Sequence, residues 1–128
     1  MSKITGLGGV FLKSADDDKE LLKWYRDVLE LDVSEFGINF LEPNLITLIT
    51  FSKKGENEAV LNLAVDDLDG FLQKLKGKGV QIYKETQSYP FGAFAQIKDP
   101  SGNVVELCQI NREEYKKMTQ KEIEEFKN

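Results

Sequence analysis

The chain has 128 residues, with 17 Lys and Arg against 22 Asp and Glu for a net charge of −5, and it has no histidine. One compact domain fits this length; the acidic balance speaks against a nucleic-acid partner, whose phosphates call for a basic face; and no apolar run approaches the span of a bilayer. Without histidine the chain lacks the commonest metal ligand and the usual general base near neutral pH, so chemistry would rest on carboxylates, hydroxyls, lysine, tyrosine or backbone groups. Met1-Ser2-Lys3-Ile4 shows neither a secretory core nor a cleavage site, and cytoplasmic residence is expected. The single cysteine, Cys108, leaves no intramolecular disulfide and no cysteine-built zinc site, and its setting in Val104-Val105-Glu106-Leu107-Cys108 marks it as a buried small hydrophobe.

Ile4 to Ser14 reads as a first strand, interrupted by Gly6, Gly8 and Gly9. A helix follows: Asp17 and Glu20 have capping-box spacing, and Leu21, Tyr25, Val28 and Leu29 fall on one stripe. Asp16-Asp17-Asp18 is read as helix capping, since the ligand spacing of a calcium loop is missing. Short β-rich pieces come next at Asp32 to Phe36, Ile38 to Leu41 and Leu45 to Phe51, in the manner of an antiparallel meander. The polar stretch 53–58 is a linker. Beyond it the order repeats: a strand at Ala59 to Val65, a helix capped by Asp66 or Asp67 with Leu68, Phe71, Leu72 and Leu75 on its apolar face and Gly77 and Gly79 near its end, then strands at Val80 to Thr86, Phe91 to Lys98 and Asn103 to Gln109. Asp99-Pro100-Ser101-Gly102-Asn103 is a tight turn. Tyr115, Met118, Thr119, Ile123 and Phe126 then mark a charged surface helix, docked on the domain or on a neighbouring subunit.

The repeat is visible in the residues themselves. Gly9 to Asp16 parallels Val60 to Asp67, and Glu42-Pro43-Asn44-Leu45-Ile46-Thr47-Leu48 parallels Asp99 to Leu107 if the first copy lacks a turn of about two residues. Each copy is strand, helix, three strands, and one helix covers only one face of its sheet. The other faces, placed together, enclose a space, and Gly9, Thr47, Val60 and Glu106 occupy equivalent positions along it. Alternation along the strands puts Gly9 and Phe11, Thr47, Ile49 and Phe51, Val60, Asn62 and Ala64, and Val104, Glu106 and Cys108 on that side, while Val105 and Leu107 face the helices. The result is a mainly apolar wall with a few polar points, the usual character of a small-molecule pocket.

Trp24-Tyr25-Arg26-Asp27-Val28-Leu29, Val65-Asp66-Asp67-Leu68-Asp69 and Asp99-Pro100-Ser101-Gly102-Asn103-Val104-Val105-Glu106-Leu107 resemble the vicinal oxygen chelate superfamily of glyoxalases, bleomycin resistance proteins, fosfomycin resistance proteins and extradiol dioxygenases, over about residues 4 to 110. The resemblance implies an α+β fold of two βαβββ modules forming a cupped mixed sheet, plus a C-terminal helix. A single domain over 1–128 is expected, with module one at about 4–52, the linker at 53–58, module two at about 59–110 and the last helix at about 112–127. Enzymes of this superfamily hold a divalent metal at positions that correspond to Gly9, Thr47, Val60 and Glu106, and only Glu106 matches. No metal and no cofactor is therefore expected.

The ligand cavity is expected to use Gly9, Phe11, Thr47, Ile49, Val60, Asn62, Phe94, Glu106 and Cys108, with Glu106 as the candidate catalytic residue or as anchor for a cationic group. Glu106 also reads as an inherited residue held by the wall. Tyr89-Pro90-Phe91-Gly92-Ala93-Phe94 reads as a stacking lip over a planar ligand or, more simply, as core packing and a turn. The leading expectation is metal-free binding of a small hydrophobic or cationic molecule by a homodimer without nucleic-acid or membrane partners; the alternatives are a glyoxalase-like lyase or isomerase or a dioxygenase-related enzyme using Glu106, and a degenerate member that binds nothing.

Overall fold

The structure, a computed structural model, describes residues 10, 12, 14, 18–41 and 58–126. The strand expected at 45–51 and Asp17 of the capping box lie outside the described residues, as does most of the strand expected at 4–14. Helix α1 (Asp18–Asp27) is followed by a hairpin of β1 (Asp32–Ser34) and β2 (Gly37–Asn39), and the second copy supplies β3 (Ala59–Ala64), α2 (Leu68–Gly77), β4 (Ile82–Tyr89), β5 (Gly92–Lys98) and β6 (Val104–Ile110) before α3 (Arg112–Phe126). Among the described residues, no helix is long and apolar enough to cross a membrane.

The second copy completes its βαβββ order. Its sheet runs β3-β6-β5-β4: β3 lies parallel to β6, which requires a crossover, and α2 opens that connection. The last three strands are a simple antiparallel meander. Of the two candidate caps, Asp67 holds the start of α2, its Oδ1 accepting from the Gly70 N–H at 3.1 Å. At the other end Gly79 takes a left-handed φ of 78°, and the Gly79 and Val80 N–H groups close back on the carbonyls of Lys76 and Leu75.

The core lies between the helices and one face of this sheet. Leu68, Leu72 and Leu75 of α2, Tyr25 of α1 and Leu29 just past its end bury themselves against Leu63, Ala95, Ile97, Val105 and Leu107. The stripe read along α1 is thus an inner face, with Leu21, Trp24 and Val28 half-buried at its margins and the Trp24 ring edge-on to Tyr25. Helix α2 also holds the end of α1. The Lys78 ammonium donates to the carbonyls of Asp27 and Val28 at 3.1 Å each, and Lys74 pairs with Glu30, which takes a left-handed φ of 60° just past the helix.

One buried carboxylate ties helix to sheet. Asp99, at the start of the turn between β5 and β6, accepts from the backbone N–H groups of Ser101 and Asn103 on Oδ1, at 2.9 Å each, and from Asn103 Nδ2 and the Tyr25 hydroxyl on Oδ2, at 2.7 and 2.9 Å. Gly102 takes a φ of 84°, which suits glycine and lets the turn fold back on the aspartate. Burial, with the neighbouring Asp99 carboxylate second, pushes the Tyr25 hydroxyl well above the ordinary tyrosine range, so it donates at all working pH.

Asp99→Ala strips several buried donors of their acceptor and is expected to destabilise by about 3 kcal/mol or more, whereas Tyr25→Phe removes one donor and costs about 1–2 kcal/mol. Urea unfolding followed by circular dichroism measures both, and the double variant is expected to fall short of the sum.

Candidate functional site

The face of the sheet turned away from the helices carries a row of three polar side chains. β3 and β6 place Asn62 opposite Glu106, and β5 and β6 place Gln96 opposite the same glutamate. Asn62 Nδ2 donates to Glu106 Oε1 at 2.7 Å, and Gln96 Nε2 donates to Oε2 at 3.1 Å. The carboxylate is held by two neutral amides, one on each oxygen. Among the described residues, no lysine or arginine lies within ion-pair distance of it.

The neighbouring rows are apolar apart from Lys98. Ala64 pairs with Cys108 and Cys108 with Phe94 on one side; Ala59 and Lys98 pair with Val104 on the other, where Val60 also lies. The Cys108 thiol donates to Asn62 Oδ1 at 2.9 Å, so the amide that reaches Glu106 is itself fixed in orientation. Burial, followed by the negative charge of Glu106, pushes this thiol up to about 11.

Glu58, just before β3, and Tyr83, on β4, meet across the width of the sheet, the Tyr83 hydroxyl donating to Glu58 Oε2 at 2.7 Å. Two register shifts interrupt the pairing along β4. Lys98 lies 4.5 Å above the Tyr83 ring, so it is engaged with the ring at this end of the face.

Of the residues expected to line the cavity, Val60, Asn62, Phe94, Glu106 and Cys108 share the open face, while Gly9, Phe11, Thr47 and Ile49 lie outside the described residues. Gln96 is a member of the row that the sequence reading did not include. Its signal was available: two residues beyond Phe94 on the same strand, it must share that face by alternation. The Tyr89–Phe94 run does not stand as a free lip. Tyr89 stacks on Phe91 at 5.6 Å, both meet Phe94 edge-on at 5.9 Å, and Phe91 also touches Tyr115 of α3. Two hollows among the described residues lie away from the Glu106 row: one of about 340 Å³ beside the β4–β5 turn, lined by Tyr89, Gly92, Gln109 and Asn111, and one of about 300 Å³ between Leu29, Leu31, Phe40 and Phe71.

The divalent metal implied by the resemblance does not fit these residues. Gly9 and Val60 carry no side-chain donor, which leaves Glu106 as the one carboxylate among the four corresponding positions. Among the described residues, no group of three His, Cys, Asp or Glu side chains is arranged to hold an ion.

A strand followed by a helix and then by a three-stranded meander whose last strand lies parallel beside the first, sheathed on one face, defines a βαβββ module of the α+β class. The chain belongs to the Glyoxalase/Bleomycin resistance protein/Dioxygenase superfamily, whose family model matches residues 10–107. Its fold is similar to that of an integron cassette protein from the mobile metagenome of V. cholerae, at 22% identity over 85% of this chain and 98% of the other with a TM-score of 0.57. TnmS3, an antibiotic binding protein from Streptomyces sp. CB03234, matches at 23% identity over 84% and 100% of the two chains with a TM-score of 0.52. A superfamily member from Sphaerobacter thermophilus DSM 20745 matches at 21% identity over 80% and 99% with a TM-score of 0.50. At these identities the likeness speaks for the fold. No curated protein matches the chain.

The Cys108 thiol, shifted from 9.0 to about 11, is expected to react with a disulfide reagent at pH 8 about a hundredfold more slowly than an unperturbed thiol, from its smaller thiolate fraction alone. Because its folded value is raised, its contribution to stability is complete below the ordinary thiol range and is lost as pH climbs toward about 11. Denaturant midpoints measured from pH 8 to 11 are expected to fall more for the unmodified protein than for Cys108→Ala.

Proposed function

We propose that the protein binds a small molecule on the open face of the β3-β6-β5-β4 sheet without a metal, using Glu106 to receive positive charge and the apolar rows beside it to receive the rest of the ligand. The observation that carries this reading is a partly buried carboxylate fixed by Asn62 and Gln96, with no cation paired to it among the described residues. Such a group is positioned in advance, so little ordering cost falls on the ligand. The apolar neighbours supply contact area and leave recognition to a few polar points.

The structural relative TnmS3 is an antibiotic binding protein, which supports a binding role within this fold. By likeness to bleomycin resistance proteins the assembly we propose is a homodimer, with residence in the cytoplasm. The last helix is consistent with a subunit contact: Tyr115 anchors its first turn, whereas Ile123 is exposed and Phe126 is 93% exposed near its end. Multi-angle light scattering is expected to give twice the mass of the 14.6 kDa chain.

A thermal-shift screen of cationic, neutral and anionic aromatic compounds tests the binding reading. A compound present at about a hundred times its dissociation constant adds about 2.7 kcal/mol to stability. Glu106→Gln is expected to abolish the response to cations and to spare that to neutral apolar compounds. Silence of the unmodified protein across all three classes defeats the proposal.

A further inference from the structure

Given a ligand on the open face, as proposed above, we infer that the Glu106 row selects a protonated primary or secondary amine, a cation that can donate N–H bonds, over a quaternary ammonium of the same shape. An ionised carboxylate offers about four acceptor positions on its two oxygens. Asn62 occupies one on Oε1 and Gln96 one on Oε2, each as a neutral donor. The charge is left intact, and acceptor capacity remains on both oxygens. Glu106 is partly buried and keeps some solvent access, which a ligand needs to reach it.

The surroundings disfavour a cation without N–H groups. Quaternary ammonium ions are held by several aromatic faces around their methyl groups. Beside Glu106 the sheet instead carries the exposed Val60 and Ala64 and the buried Val104 and Cys108, and the nearest-row ring, Phe94, is packed edge-on against Tyr89 and Phe91. The ring of Tyr83 is covered by Lys98. An aliphatic setting around a fixed carboxylate rewards a directional hydrogen bond more than a diffuse charge.

Cys108 acts in this scheme as a positioning residue. A carboxamide can be turned to present either its oxygen or its nitrogen, and only the nitrogen suits Glu106. By donating to Asn62 Oδ1, the thiol holds the amide in the productive orientation. Without that donor, Asn62 is free to leave the row, and the carboxylate loses one of its two supports.

Calorimetric titration of the full chain with benzylammonium, benzyltrimethylammonium and benzyl alcohol, which share one ring, tests the inference on the unmodified protein. Benzylammonium is expected to bind about tenfold or more tighter than either other compound, the factor carried by one charge-assisted hydrogen bond. Glu106→Gln is expected to bring it down to the level of benzyl alcohol. Cys108→Ala is expected to weaken benzylammonium several-fold and benzyl alcohol little, and Cys108→Ser, whose hydroxyl also donates, to restore it. Equal affinity for the two ammonium compounds overturns the inference and leaves a binding face in place. Failure of benzylammonium to bind overturns it as well, and the broad screen above then shows whether the binding face is lost with it.

Discussion

The structure depends on how the Asp99 carboxylate is surrounded. A buried carboxylate is tolerable only if its oxygens are supplied with donors, and here they come from three places at once: the turn backbone, the Asn103 side chain and the hydroxyl of a helix far away in sequence. That arrangement fixes the turn between β5 and β6 and therefore the antiparallel register of those strands. The same group receives Tyr25, the most buried large side chain of α1, so the first helix is seated against the second module's sheet by a directional bond as well as by apolar area.

Register is what turns this scaffold into a surface with chemistry. A shift of one residue between β5 and β6 would send Gln96 and Glu106 to opposite faces and bring Val105 and Leu107 out of the core. With the register held, three polar side chains from three strands line up across the sheet, and each supports the next: thiol on amide, amide on carboxylate, second amide on the same carboxylate. Hydrogen bonds of this kind order the side chains before a ligand arrives. The Glu106 carboxylate is thereby held in one place, with an amide on each oxygen.

Much of this could be read from the residues alone, because the relevant signals were strictly periodic. The stripe Leu21, Tyr25, Val28 and Leu29 and the alternation around Val105 and Leu107 reported inner faces correctly, and Asp99-Pro100-Ser101-Gly102-Asn103 announced a turn. What could not be read was partnership across long separations. Nothing local to Asp99 names Tyr25, and nothing local to Asn62 names Cys108, since both pairings depend on which strands become neighbours. Gln96 follows a conspicuous aromatic run that masks it, although strand alternation from Phe94 is enough to find it. The linkage of Lys78 to the end of α1 likewise follows from how two helices lie side by side and not from any pattern within either.

The bulges along β4 have a consequence of their own. Among the described residues this strand is an outer boundary of the sheet, and a straight boundary strand offers an evenly spaced line of vacant amides on which another polypeptide can settle as an added strand. Two interruptions in that spacing, with Lys84 and Glu85 set among them, break the template into pieces too short to extend. An interrupted boundary strand of this kind is a poor template for edge-to-edge addition of a further chain.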